Sequence, residues 1–308
     1  VDATTVVRGD ALYATPTVEG LARALECACA NNSGADAHTL PTMIRTEAGG
    51  SKITASHAQE QMAVLWQTNP ESPTYNCPYS VELTPTTTGG AVFSGAIRAA
   101  IQHVIRRHET LRTTLTVDPN TGRVVPHIAA ADTEEAEELF LWEERATSAK
   151  DASKALSEAA AVPFDLAHGP VVRALLLRQV DGNQNKHWLQ IGLHHAAVDG
   201  WSIKILKREL AVTYARLTSS GTLPSEAELP SPALQYTDYA TWQHACEASP
   251  AGKASREAGL AYWCENLRHA PVLQLPLDFP RPARLSGRGA VIPLALPSGL
   301  VEAVKRVA

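Results

Sequence analysis

The chain has 308 residues, room for one large domain or two to three smaller ones at about 100–200 residues each. A hydrophobic content of 44% with 19% charged residues excludes a disordered chain. A net charge of −5 with no basic run lacks the footprint of a nucleic-acid binder, and no apolar run approaches the ~18 residues of a membrane span.

From the first residue, Thr17 is placed to cap a short helix whose apolar face holds Leu21, Ala24 and Leu25. Residues 28–50 are small, polar and glycine-containing, the composition of a linker. A second helical pattern begins near Ser56, and Pro70, Pro73 and Pro78 then force an extended passage. Between Val92 and Arg106, the residues Phe93, Ile97, Ala100, Ile101, Val104 and Ile105 share one helical face. An alternating strand from Leu111 to Val117 and a return strand from Gly122 to Ile128 flank the turn Asp118–Gly122.

Residues 134–160 read as helix-rich, and 171–180 and 187–195 read as strands joined by a polar turn. The second strand runs straight into Ala196-Ala197-Val198-Asp199-Gly200-Trp201-Ser202, and a helix is expected from about Ser202 to Leu217. Residues 218–232 have linker composition, 233–247 and 255–268 look helical, and 271–297 are proline-rich and extended. Leu300–Ala308 read as an amphipathic helix without a cap. Helices and strands alternate through short connections, so the fold class is α/β or α+β, with no internal repeat.

The cysteines, Cys27, Cys29, Cys77, Cys246 and Cys264, are odd in number and scattered. They do not form a disulfide framework or a zinc-like spacing and are read as reduced thiols in a cytoplasmic protein. No segment has the pattern of a secretory signal. With Val rather than Met at position 1 and an uncapped helix at the end, the chain is expected to be a piece of something longer.

The sharpest local feature is His194-His195-Ala-Ala-Val-Asp199-Gly200, at the end of an apolar strand and leading into a helix. Adjacent strand residues point to opposite faces, so one imidazole can reach a cavity while the other packs into the scaffold. A neutral imidazole can take a proton from an attacking amine or hydroxyl, or donate to an oxyanion. Gly200 permits a tight backbone and leaves room for substrate. A buried Asp199 would need a cationic partner. The same seven residues are compatible with two structural histidines and an Asp-Gly turn. They also suit a two-His, one-Asp metal set, but adjacent histidines seldom aim at one ion, so no metal is expected.

His194–Gly200 resembles the HHxxxDG signature of nonribosomal peptide synthetase condensation domains, and Trp201-Ser202 and Lys207–Leu210 continue that likeness. Further motifs follow in family order. They are Ser56-His57-Ala58-Gln59, Tyr75-Asn76-Cys77-Pro78, Arg107-His108-Glu109-Thr110-Leu111-Arg112-Thr113, and Phe164-Asp165-Leu166 with Gly169-Pro170 and Arg173-Ala174. Tyr236–Gln243, Tyr262-Trp263 and Leu275–Pro282 complete the series. The chain departs from the family at Gln61, Met62 and Ala63, where an Arg and a Leu-Trp pair are usual, a change expected to alter packing more than chemistry.

The resemblance implies two chloramphenicol-acetyltransferase-like lobes around a tunnel, of which this chain would hold a nearly complete N-terminal lobe and the start of the second. The implied organisation is a carrier-domain helix over 1–27, where Leu12–Ala22 resembles the end of a carrier protein, and a linker over 28–50. An N-lobe over 51–217, an inter-lobe linker over 218–232 and the truncated C-lobe over 233–308 follow. The implied reaction is amide formation between an acyl or peptidyl thioester on an upstream carrier and an aminoacyl group on a downstream carrier. Phosphopantetheine arms come with those carriers, an adenylation domain is adjacent, and no cofactor is bound by the domain itself.

By position His195 is the implied catalytic residue, either as general base or as a group that orients the amine. His194 is implied to be structural. Asp199 is implied to pair with Arg107 and hold the loop, and Gly200 to bring backbone close to the reacting groups. Arg112 stays open between a role in the motif and a solvated strand residue. The Trp-Ser after the signature suits a condensation domain taking an L-configured donor, and the His pair excludes the cyclisation type. Two other functions fit the same features: an acyl-CoA-dependent acyltransferase of the superfamily, or a non-catalytic docking domain. The piece by itself is expected to have little activity.

Overall fold

The computed structural model describes residues 40–45, 53–84, 92–181, 186–283 and 294–307. The expected helix at Thr17, most of the 28–50 linker and both Cys27 and Cys29 lie outside the described residues.

In chain order the elements are α1 (His57–Thr68), β1 (Tyr79–Leu83), α2 (Ser94–Arg107), a 3-10 turn (Glu109–Arg112), β2 (Thr113–Val117) and β3 (Val124–Ile128). Then come α3 (Glu134–Glu138), β4 (Phe140–Thr147), α4 (Ala149–Ala160), β5 (Val172–Gln179), β6 (His187–Leu193), α5 (Gly200–Ser220), α6 (Tyr236–Ala248) and α7 (Pro250–Leu267). All belong to a compact unit ending at Arg268. The last helix, α8 (Ser298–Val307), lies in a second unit, His269–Ala308.

A four-stranded sheet in the order β1-β6-β5-β4 carries the first unit. β6 runs antiparallel to β5, with Leu193 opposite Val172 and His187 opposite Arg178, and β1 pairs antiparallel with its other edge. β4 joins β5 in parallel. In β5 the even residues Val172, Ala174 and Leu176 enter the larger core with Ile97, Ile101 and Val104 of α2 and Leu206 of α5. The odd residues Leu175 and Leu177 pack against Ala152, Leu156 and Ala159 of α4. Both faces are therefore covered, which is why the strand reads as a continuous apolar run. Of the expected stripe, Ile97, Ala100, Ile101, Val104 and Ile105 are buried, whereas Phe93, the residue before α2, is exposed.

β2 and β3 form a separate hairpin. Its turn is closed by Gly122, which donates to the Asp118 carbonyl at 2.8 Å with φ 66, a conformation that costs glycine little. In the stretch after the first motif Ala63 is fully buried, and Trp66 Nε1 donates to the Phe164 carbonyl at 2.9 Å.

Two local readings are corrected and one open reading is decided. The helix-rich stretch 134–160 contains a strand, β4, between two helices. Its Glu143, Glu144 and Arg145 sit on the edge of the sheet, and that charge hides a strand whose pairing comes from β5. The 218–232 segment is packed rather than free, because α5 continues to Ser220, Gly221 caps it at φ 69, and Leu229 is 4% exposed. Arg112 is a buried residue of the 3-10 turn rather than a solvated one, and its guanidinium donates to the Ala129 carbonyl.

Leu176 is fully buried at the centre of the sheet. Leu176→Ala is expected to cost about 2–5 kcal/mol in urea unfolding; a loss under about 1 kcal/mol would place the residue outside a close-packed core.

Candidate active site

β6 ends at Leu193, and the next two residues are held by the Tyr75–Pro78 segment. Cys77 N donates to the Leu193 carbonyl at 2.7 Å, His194 forms a single antiparallel bridge with Asn76, and His195 N donates to the Tyr75 carbonyl at 2.9 Å. Asn76 is anchored in turn by its side-chain amide, which donates to the carbonyls of Ala160 and Val162, each at 2.8 Å. The loop then tightens. Ala197 N donates to the His194 carbonyl at 2.9 Å, and the Thr110 hydroxyl donates to the Ala197 carbonyl at 3.0 Å.

The two histidines diverge. His194 is 6% exposed and lies 6.1 Å from the Phe164 ring and 6.2 Å from Tyr75, centroid to centroid. Its Nδ1 accepts the Ala196 amide at 3.0 Å, and burial pushes its pKa down to about 4, so it is neutral near pH 7. Phe164 is braced from behind by Arg173, whose guanidinium lies 4.0 Å from the ring centroid and donates to the carbonyls of Val162 and Pro163. His195 is exposed, and its ring has no hydrogen bond among the described residues. With one ring inward and one outward, His194, His195 and Asp199 do not form a convergent metal-donor set.

Asp199 caps α5. Its Oδ1 accepts the Ser202 amide at 2.8 Å and the Ser202 hydroxyl at 2.7 Å, and its own amide donates to Ser202 Oγ at 3.2 Å. These Ser202 bonds hold its carboxyl below the usual carboxylate range, with a smaller contribution from His195. Gly200 opens the helix, and a Cβ there would meet nothing within 4 Å, so the space before the helix N-terminus is open among the described residues.

The expected Asp199–Arg107 pair is absent. Arg107 Nε instead donates to Glu209 Oε2 at 3.0 Å, and its two terminal nitrogens donate to the carbonyls of Leu229 and Pro230. His108 Nε2 meets the same Glu209 oxygen at 2.9 Å. Asp199 is satisfied locally by its own helix, whereas Glu209 faces the core and needs a cation. Burial alone would raise the Glu209 pKa, but the bonds from His108 and Arg107 outweigh it and hold the carboxyl at about 2. The sequence carried a signal for this partner. Leu206, Glu209 and Thr213 share the buried stripe of α5, and an acid on a buried stripe demands a partner. So motifs far apart in the chain converge on one loop: Tyr75 and Asn76 fix its start, Thr110 its turn, Phe164 its inner face, and the Arg107–Glu209 pair ties α2 to α5 behind it.

Beside the strand that carries this loop, β1, β6, α2 and α5 enclose a mainly apolar cavity of about 560 Å³, lined by Val81, Ile97, Leu189, Ile191, Leu210 and Tyr214. Lys207 stands at its rim, 5.0 Å from the Tyr79 ring centroid.

Two expectations test these assignments by chemical unfolding. Asp199→Ala should cost about 1 kcal/mol and Asp199→Asn less than half of that, because a cap needs the oxygen rather than the charge; equal losses would restore an ion-pair role. Glu209, at about 2 when folded against 4.5 unfolded, stabilises fully above pH 4.5 and loses that contribution as the pH falls towards 2. Glu209→Gln should cost about 3 kcal/mol at pH 7 and flatten the acid limb of the stability curve; an unchanged acid limb would contradict the pair.

The profile of the family described as "Condensation domain" matches residues 50–308. The chain is 36% identical over 283 residues to a dimodular nonribosomal peptide synthase of Bacillus subtilis (strain 168), covering 91% of this chain and 11% of that protein. It is 34% identical over 271 residues to the phosphinothricin tripeptide synthetase PhsC of Streptomyces viridochromogenes, covering 87% and 23%. The X-domain from teicoplanin biosynthesis superposes with a TM-score of 0.65 at 25% identity over 86% of this chain and 55% of that one, and has also been solved in complex with OxyB. The starter condensation domain of rhizomide synthetase RzmA gives 0.56 at 20% identity, over 72% and 49%, a likeness of fold. The chain thus spans about half of these solved domains and a small part of the curated relatives. Its sheet and flanking helices are the chloramphenicol-acetyltransferase-like lobe expected from the motifs, and the chain belongs to the condensation-domain family found in nonribosomal peptide synthetases.

Proposed function

We propose that this chain contributes the catalytic histidine of a peptide-bond-forming condensation domain. The observation that supports it is the outward ring of His195, held at the end of β6 by the Tyr75 carbonyl. The acceptor amine attacks the donor thioester carbonyl. A C–N bond forms, the C–S bond breaks, the thiol leaves on the upstream arm, and the amine loses a proton. His195 accepts that proton or holds the amine in line. An amine with a pKa of about 8 is already largely poised near neutral pH, so alignment alone can supply much of the acceleration. Asp199, Gly200, His194 and Arg107 do not touch the reacting atoms in this reading. They keep the loop and the first turn of α5 in place.

The partners in this reading are upstream and downstream carrier domains and an adjacent adenylation domain, within a cytoplasmic assembly. In this reading residues 1–27 belong to the end of a carrier, 28–50 join it to the lobe, 51–217 are the N-lobe, 218–232 the passage between lobes and 233–308 the start of the C-lobe. The thioesters arrive on phosphopantetheine arms as carrier-borne substrate, and aminolysis of a thioester needs no resident cofactor. The unpaired thiols Cys77, Cys246 and Cys264 suit a reducing compartment.

The likeness to the X-domain favours a second reading, a docking domain without catalysis. One experiment separates the two. In the synthetase carrying this chain, with both carriers loaded, His195→Ala should lower the single-turnover rate of amide formation by at least about 100-fold with an unchanged melting temperature. A rate unchanged by the substitution defeats the catalytic assignment. A wild-type domain that forms no amide yet retains a partner protein supports docking.

A further inference from the structure

Helices α1 and α6 each carry a His-x-x-Glu turn, His57 to Glu60 and His244 to Glu247. The start of α1 is laid along α6 by three contacts: Ser56 Oγ with the Tyr236 hydroxyl at 2.9 Å, His57 N to Gln243 Oε1 at 3.0 Å, and His244 Nε2 with the Ala55 carbonyl at 2.8 Å. One donor atom from each of His57, His244 and Glu247 lies within 4.8 Å of the other two, the one such trio among the described residues.

The outer partners of both rings are already in place. A carbonyl only accepts, so His244 Nε2 must carry the proton it donates to Ala55, which leaves Nδ1 with a free lone pair. His57 Nδ1 faces Glu60 Oε2 at 3.1 Å and Nε2 meets Glu247 Oε1 at 2.7 Å, so an ion would enter between Nε2 and Glu247 in place of that hydrogen bond. Metal-binding histidines are oriented in this way, with one nitrogen on the ion and the other on a carboxylate or a backbone carbonyl. Tetrahedral bonds of about 2.0–2.1 Å separate donors by about 3.4 Å, against 2.7 Å between His57 and Glu247 and a bound of 4.8 Å on every pair of the trio. The side chains of His57 and Glu247 are 43% and 45% exposed, free to make that adjustment and open to solvent for a fourth, water ligand.

We infer that His57, His244 and Glu247 form a site for a borderline divalent metal ion, Zn²⁺ above all, which clamps the start of α1 to the end of α6. Two imidazoles and a carboxylate suit that ion better than Ca²⁺ or Mg²⁺, which prefer all-oxygen shells. His57 lies two residues before Gln59, which lines a small pocket together with His194, but the proposed ion takes no part in the condensation chemistry.

The test is a titration of the purified protein with Zn²⁺ by calorimetry and with Co²⁺ by visible absorption. The expected results are one ion per chain, an intense visible band from low-coordinate Co²⁺, and a melting temperature raised by Zn²⁺ but not by Mg²⁺. His57→Ala and His244→Gln should each lower Zn²⁺ affinity at least 10-fold, and Glu60→Gln, which touches only the outer partner, by about 10-fold. The Gln at 244 can still donate to Ala55, so that variant keeps the fold should the other lose it. Binding that survives both histidine variants, or binding abolished instead by His195→Ala, overturns the inference, as does the absence of any Co²⁺ band.

Discussion

Adjacent side chains of an extended strand must point to opposite sides, and at the end of β6 that rule decides the site. The residues before the loop set the phase. Leu189, Ile191 and Leu193 face the helices α2 and α5, while Trp188 faces α4, together with Gln190, whose amide donates to the Leu156 carbonyl. His194 continues the second set and meets Phe164, while His195 takes the opposite side beyond the last covered residue of the first set, Leu193, and is exposed. Slipping the register by one residue would bury His195 and expose His194. Register is held by the antiparallel pairing with β5, a strand covered on both faces, and by β1 on the other edge.

A fixed strand end would be of little use with a loose loop behind it. Four residues separate His195 from the first residue of α5, and each turn of that path has a partner: Tyr75 at the start, Thr110 in the middle, Ser202 at the cap. The partners come from segments more than 80 residues away as well as from the loop's own helix. The Arg107–Glu209–His108 cluster performs the same service one layer deeper, because it holds α5 to α2 through charges that the core could not otherwise accept. A neutral inner histidine and a local cap on Asp199 leave the outward imidazole as the loop's free proton-handling group. That division of labour is what an aminolysis reaction asks of its scaffold.

Much of this was legible in the residues. The α2 stripe, the hairpin around Asp118–Gly122, the strands on either side of the polar turn at 181–185 and the helix after Asp199 are local patterns, and periodicity or turn chemistry is enough to read them. The opposite orientation of His194 and His195 also follows from strand geometry alone. β4 escaped detection because its edge position lets charged residues occupy half of it, and its pairing is supplied by a strand more than 20 residues ahead. Arg112 stayed undecided because a charged residue can read as solvated until its carbonyl partner is known.

The amino-acid order by itself marked most of the helices and strands and singled out His194–Gly200 as the candidate site, since those readings depend on neighbours a few positions apart. Partnership was decided only in three dimensions. Asp199 turned to Ser202 and Arg107 to Glu209, and His57 found Glu247 across 190 residues of chain. Burial and long-range packing set which charge meets which, and no spacing along the chain encodes a distance in space.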